Sequence, residues 1–501
     1  MNAQFEELIA RLGEIADFNN AAGVLSWDQQ TYMPPGAIRA RAQQLTTLRR
    51  TAHERFTSDE IGQLLDDLEP QVAELEPGSY EASLIRVTRR DYDRQRKLSA
   101  DLVARLTRTT ALAREAWERA RKASDFALFL PHLDEILDLS VEIAEALGYE
   151  DRIYDALLDR FEPGLKTARI EALFAEMKAG LVPLGQAIAG QQGRADDTFL
   201  HQDFPVDRQW DFGLEVITRL GFDFEHGRQD RSAHPFTTSF TPADVRLTTR
   251  LSPGNFKSAL FGSIHEAGHG MYNQGIPMDL ARTPLARGAS LGVHESQSRM
   301  WENIVGRSRG FWTFWLPRLR EYFPSQLEGV TVDAFYRAVN RVEPSLIRVE
   351  ADEVTYNLHI FVRFEIENLM LERKVRLSDL PELWKTKMEE YLGVWPADDA
   401  DGVLQDVHWS SGMLGYFPTY SLGNILSAQF YDQAVSEIPD IPAQIEKGEF
   451  GSLLGWMRTN IHARGAKYTP AELVELVTGG PIRTEPFLDY ARSKYAEIYG
   501  L

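Results

Sequence analysis

The segment GSIHEAGHGMY (262–272) sets His265 and His269 four residues apart, with Glu266 between them. Four residues is just over one helical turn, so on a helix both imidazoles leave the same face and can reach one metal ion. Glu266 leaves the helix about 100° further round, where its carboxylate can hydrogen-bond a water on that ion without becoming a ligand. Ala267 and Gly268 leave room for close packing beside such a site. A pattern of this kind arises by chance in roughly one or two of a hundred chains of similar composition. The motif alone is therefore also compatible with a helix whose histidines are ordinary core or surface groups.

A catalytic zinc site wants three protein ligands and one open position. The third is available in GVHESQSRMWEN (292–303), where Glu295 follows His269 after 25 intervening residues, on a second helical stretch. Glu302 competes with it one or two turns later, and is equally a plain surface acid on spacing alone. His294 is better placed to support the site than to ligate. The chain has no cysteine, so thiolate sites and disulfides are excluded and any transition-metal site must use His and carboxylates. With two His and one Glu the chemistry is hydrolytic. Zinc brings the pKa of its water toward about 7 and polarises a scissile carbonyl. Glu266 takes the water's proton and passes one to the leaving amine.

The elements that must position these residues are mainly helical. Phe5, Leu8, Ile9, Leu12 and Ile15 mark a first amphipathic helix. It ends at the breaker TYMPPG (31–36), after which a helical pattern resumes. Residues 80–122 predict long charged helices, and GQQGRADDTFLHQD (190–203) a surface loop. One region departs from the helical period. HPFTTSF (234–240) and DVRLTTRL (244–251), separated by TPA, predict a two-stranded hairpin just before the metal motif. From residue 255 the pattern is helical to the C-terminus, with breaks at Pro277, Pro317, Pro324, Pro396 and Pro418. Glycines and prolines are scattered, and no linker divides the chain into domains.

The 501 residues are 43% hydrophobic and 11% aromatic, enough to fill a sizeable core. A formal net charge of −20 argues against a nucleic-acid partner, whose phosphates need a basic footprint. No run approaches the roughly 18 apolar residues of a membrane span, and the N-terminus lacks the pattern of a signal peptide. A soluble, cytoplasmic protein is the expectation.

Several blocks together resemble the carboxypeptidase Taq family of zinc metallocarboxypeptidases. They are WDQQTYMPPGA (27–37), HPF (234–236), DVRLT (244–248), HEAGH, HESQSR (294–299), IRVEADEVTY (347–356), GVLQDVHW (402–409) and GYFPTY (415–420). The resemblance implies a large, mainly α body like that of neurolysin and angiotensin-converting enzyme. It would be a single catalytic domain, residues 1–501, of two helical halves flanking a deep active-site groove, with the small hairpin beside the metal. It implies a homodimer and removal of single residues from peptides with a free C-terminus. An endo-acting oligopeptidase and a non-catalytic helical metal-binding protein are the alternatives. Residue by residue, it makes His265, His269 and Glu295 the ligands of Zn2+ (Co2+ or Mn2+ fit the same donors) and Glu266 the base. His408 and Tyr420 resemble oxyanion donors. Arg348 is the candidate for the substrate's terminal carboxylate, since a guanidinium binds carboxylate bidentately. Spacing alone makes it equally an ion pair with Glu350, Asp352 or another nearby acid. His234, Arg246 and Tyr356 line the groove or support it. The strands predicted around His234 and Arg246 are expected to offer an edge to extended substrate.

Overall fold

The apolar stripe at the N-terminus does what its period predicts. Phe5, Leu8, Leu12 and Ile15 are buried along one side of the helix Ala3–Thr31. They pack with Ile61, Leu65, Leu68, Leu84 and the Ile276–Leu285 stretch, with Ile9 partly buried beside them. The computed structural model of the chain describes residues 3–501. At TYMPPG the helix stops, a single 3-10 turn Pro35–Ala37 follows, and the helix Ile38–Phe56 resumes. Prolines without N–H groups cannot continue the ladder there.

The chain forms two compact units. The first comprises Met1–Arg96, Asp197–Val339 and Phe430–Pro481; the second comprises Lys97–Asp196, Asn340–Gln429 and Ile482–Leu501. Each is assembled from three separated stretches, which is why no single linker stands out in the sequence. Both are mainly helical, and among the described residues no helix is long and apolar enough to cross a membrane.

The first unit holds the sheet. Strands β2 (Thr237–Thr241) and β3 (Asp244–Thr249) form the predicted antiparallel hairpin, with a register shift between Ser239 and Thr241. A further strand, β1 (Gly227–Arg231), pairs parallel to β3, giving the order β1-β3-β2. Its sequence GRQDR has no β-branched or aromatic residue, so only pairing with β3 makes it a strand. Two expectations are corrected. His234 lies in the exposed bend before β2 rather than in a strand, and Arg246 sits on the central strand, which has no open edge.

Two helix boundaries also differ from their sequence patterns. Pro317 lies inside the helix Arg309–Tyr322, where burial of Phe311, Trp312, Trp315, Leu316 and Leu319 offsets the lost backbone bond. In the second unit, PSLIRVEADEVTYNLH is not one helix. Arg348–Glu350 is a single 3-10 turn, and the helix starts at Tyr356 and runs to Leu371. Asp352 draws the backbone N–H groups of Glu343, Val354 and Thr355 and the Thr355 hydroxyl onto its carboxylate. Those bonds compete with a helical ladder.

Candidate metal centre

Two helices of the first unit carry the motif residues. The histidine helix, Phe256–Gly275, begins where the Asn255 side chain accepts from Ser258 N at 3.0 Å. The glutamate helix, Leu291–Arg299, begins where Ser290 Oγ accepts from Val293 N at 3.0 Å. Each cap satisfies an orphan donor and fixes where its helix starts. The helices meet at Gly268, where a Cβ would fall 2.6 Å from Ser298 Cα and 2.9 Å from Gln297 O. Only glycine allows that approach.

The approach brings His265, His269 and Glu295 together, with ligand-capable atoms all within 4.8 Å of one another. Glu295 Oε2 lies 3.4 Å from His269 Nε2 and 3.7 Å from His265 Nε2. The other ring nitrogens are held: His265 Nδ1–H donates to Glu302 Oε2 at 2.9 Å, and His269 Nδ1–H to the His294 carbonyl at 3.0 Å. Those bonds fix the tautomer that aims both Nε2 lone pairs at one point. Glu302 therefore backs a histidine instead of competing with Glu295. It rides on a π-helical stretch, Met300–Val305, that continues the glutamate helix.

Charge is balanced around the carboxylates. Arg299 Nε donates to Glu295 Oε1 at 2.7 Å, and Arg307 reaches Glu302 Oε1 at 3.1 Å. Burial pushes Glu295 up, but Arg299, His265 and His269 outweigh it and hold the group well below the usual carboxylate range. Glu302 is brought down to about 2: burial opposes this, and Arg299 and His265 prevail. Burial lowers His265, yet Glu295 and Glu302 leave it net raised. Two imidazoles and one carboxylate, with no thiolate, suit a borderline divalent ion at a catalytic site.

Glu266 stands outside the cluster of His265, His269 and Glu295. Buried on the histidine helix, its Oε2 accepts from Thr237 Oγ1 at 2.6 Å, and the same hydroxyl lies 2.9 Å from the Glu266 carbonyl. Strand β2 thus steadies one carboxylate oxygen. His294 supports the histidines: its ring stacks on His269 with centroids 4.5 Å apart, and its Nε2 bonds Asn273 Oδ1 at 3.1 Å.

The remaining predicted residues divide between the units. Arg246, in the first, grips Asp244 with Nε and an Nη at 2.9 Å each and lies 4.4 Å over Trp27. In the second, Arg348 donates to Asp406 Oδ1 from Nε at 3.0 Å and Nη2 at 2.8 Å, and to the Tyr356 hydroxyl at 3.0 Å. Its ion pair is thus with Asp406, not Glu350 or Asp352. Arg363 takes the other oxygen of Asp406 at 2.6 Å. His408 Nε2 shares a 3.1 Å hydrogen bond with the Tyr420 hydroxyl. Burial, with Arg348 and Arg363 against the opposing Asp406, brings His408 down to about 4, so its ring is neutral at pH 7. Thr237, Arg299, Asp406 and Arg363 carry no sequence signal of their own. Arg299 and Asp406 lie in the blocks HESQSR and GVLQDVHW, and Thr237 in the predicted strand HPFTTSF. Arg299 is four residues from Glu295, but the partners of Thr237 and Asp406 are 29 and 58 residues away.

Known proteins resemble this chain over nearly its whole length. The carboxypeptidase Taq (M32) metallopeptidase family matches residues 7–495. The chain is 44% identical to thermostable carboxypeptidase 1 of Thermus thermophilus over 99% of both chains. It is 36% identical to carboxypeptidase 1 of Bacillus subtilis, over 99% of this chain and 98% of that one. Among solved structures, the M32 carboxypeptidase of Deinococcus radiodurans superposes with a TM-score of 0.97 at 41% identity, covering 100% of both chains. The Pyrococcus furiosus carboxypeptidase does so at 0.95 and 37%, covering 99% of each. A match over nearly the whole length, together with the paired histidines and the glutamate brought beside them, places the chain in the carboxypeptidase Taq (M32) family of metallopeptidases.

Proposed function

We propose that the chain is a zinc carboxypeptidase that releases single residues from the C-terminus of peptides, with His265, His269 and Glu295 as ligands and Glu266 as general base. The observation that carries this reading is the convergence of His265 Nε2, His269 Nε2 and Glu295 Oε2, with both Nδ1 atoms engaged elsewhere. Bound there, the ion supplies Lewis acidity toward a water molecule and the scissile carbonyl. Glu266 accepts a proton from the attacking water while Thr237 holds its Oε2. As the C–O bond forms and the C–N bond breaks, Glu266 returns a proton to the departing amine.

The roles of His408 and Tyr420 as donors to the oxyanion, and of Arg348 as carboxylate binder, rest on their sequence blocks. Their own unit supports them: a neutral imidazole and a phenol are paired, and two guanidiniums share the single carboxylate of Asp406, leaving positive charge in excess. Tyr356 acts by holding Arg348. Arg246 steadies the sheet, and His234, exposed like Pro235 beside it, keeps its substrate-binding role on the resemblance alone. Zinc as the native metal, a homodimer and a cytoplasmic location complete the reading, on family likeness and composition. Elemental analysis of purified protein, with mass-spectrometric readout of peptide trimming before and after chelation, tests it. Stepwise loss of C-terminal residues, abolished by chelator and by amidating the peptide's C-terminus, is expected. Equal cleavage of peptide and amide overturns the exopeptidase assignment.

A further inference from the structure

His462 has no place in the motif blocks, yet it is fully buried in the first unit, on the 3-10 turn His462–Arg464 that follows the helix Gly451–Asn460. Its Nε2 lies 2.9 Å from Gln297 Oε1, and Gln297, also fully buried, is two residues beyond Glu295 on the glutamate helix. The Gln297 amide nitrogen donates to Ser296 Oγ at 2.9 Å, so its oxygen faces His462 and the imidazole Nε2–H is the donor. Ser298 Oγ in turn donates to the Glu295 carbonyl at 2.7 Å. A second line of contact runs to the histidine helix. The His462 ring lies 5.0 Å from Tyr272, Tyr272 lies 5.3 Å from His294, and His294 stacks on His269 at 4.5 Å. The fold makes room for this ring: a Cβ at Gly275 would fall 2.2 Å from His462 Nδ1.

We propose that His462 is a positioning residue for the metal, holding Glu295 through its hydrogen bond to Gln297 and His269 through the column of rings Tyr272–His294. The inference rests on the metal reading given above. A single side chain from a distant stretch touches both ligand-bearing helices. Its loss would free two of the three ligands to move, where fixed geometry sets affinity.

The test follows metal release from zinc-loaded full-length protein challenged with a chromogenic chelator, alongside Tm by circular dichroism. Four proteins are compared: wild type, His462→Leu, His462→Gln and Gln297→Met. Leucine removes the donor and methionine removes the acceptor, whereas glutamine keeps an N–H within reach of Gln297. His462→Leu and Gln297→Met are expected to release metal about 10–100-fold faster than wild type. His462→Gln should stay within about threefold, and the kcat of zinc-saturated His462→Leu should fall with KM unchanged. If His462→Leu does not fold, Gln297→Met carries the same comparison from the other partner. Release at the wild-type rate from Gln297→Met, or equal acceleration in His462→Gln and His462→Leu, overturns the proposal. A wild type that holds no metal overturns the metal reading as well.

Discussion

Replacing Thr237 with valine removes one hydroxyl and keeps the shape of the side chain, and the effect should reach the chemistry without reaching the metal. Thr237 Oγ1 has one hydrogen and two acceptors at hand, Glu266 Oε2 at 2.6 Å and the Glu266 carbonyl at 2.9 Å. The charged, closer oxygen is the stronger acceptor. A hydrogen bond to a charged group contributes about 1.5–3 kcal/mol net. At about 1.4 kcal/mol per decade, its complete loss from the transition state would slow turnover by roughly 10–150-fold. One consideration places the expected loss at the low end: general-base catalysis as a whole is worth about 10²–10⁴-fold, and the base itself remains.

Thr237→Val is therefore expected to lower kcat about tenfold with KM little changed. Metal content should equal that of wild type, because the hydroxyl bonds Glu266 and not His265, His269 or Glu295. Thr237→Ser, which keeps the hydroxyl, should stay within about threefold of wild type. Steady-state kinetics on a tripeptide, with elemental analysis of the same preparations, provide the assay. An unchanged kcat in Thr237→Val would show that β2 does not hold the base, and loss of metal would show that the site is coupled differently.

Glu266→Gln should bind metal at wild-type stoichiometry and lose about 10²–10⁴-fold in turnover; undiminished turnover refutes the assignment of the base. Gly268→Ala drives a Cβ against the Ser298 and Gln297 backbone, which cannot swing aside as a side chain would. A cost of about 1–3 kcal/mol, read as a Tm about 1–3 °C lower, should come with weaker metal retention, and an unchanged Tm contradicts the close approach. The pH dependence of stability has a definite sign at His462. Burial, aided by the charge of Arg458, lowers its folded pKa to about 3, so below its ordinary 6.5 the unfolded chain takes up the proton first. The stability this group contributes is complete above about pH 6.5 and is lost as pH falls toward 3. Near pH 5 the loss amounts to about 2 kcal/mol. The fall in Tm between pH 7 and 5 should be shallower in His462→Gln than in wild type, and parallel curves would refute the account.

Much of the site was legible because it is written in local spacing. His265, Glu266 and His269 are close in sequence, and a helix converts that interval into one shared face. The N-terminal core stripe was legible for the same reason, since a 3.6-residue period needs no knowledge of the rest of the chain. Where the pattern misled, a distant partner decided. Residues 344–359 look helical, but Asp352 takes the backbone donors and Arg348 is drawn to Asp406, 58 residues on. GRQDR, for which the pattern gave no reading, becomes a strand only because β3 supplies its hydrogen bonds. Pro317 looks like a stop, but the aromatic core around it holds the helix together.

The sequence by itself determined the donor types: two imidazoles and a carboxylate, with a second carboxylate at the helical offset that a general base needs and no thiol to compete. Periodicity is local, so these needed nothing else. Only the tertiary structure decided which carboxylate meets the histidines. Gly268 lets the two helices touch, Glu295 then faces both Nε2 atoms, and the π-helical stretch turns Glu302 to the far nitrogen of His265. It alone also showed Thr237 on Glu266 and His462 on Gln297. Contacts across 29 and 165 residues depend on how the chain packs, and no spacing rule encodes packing.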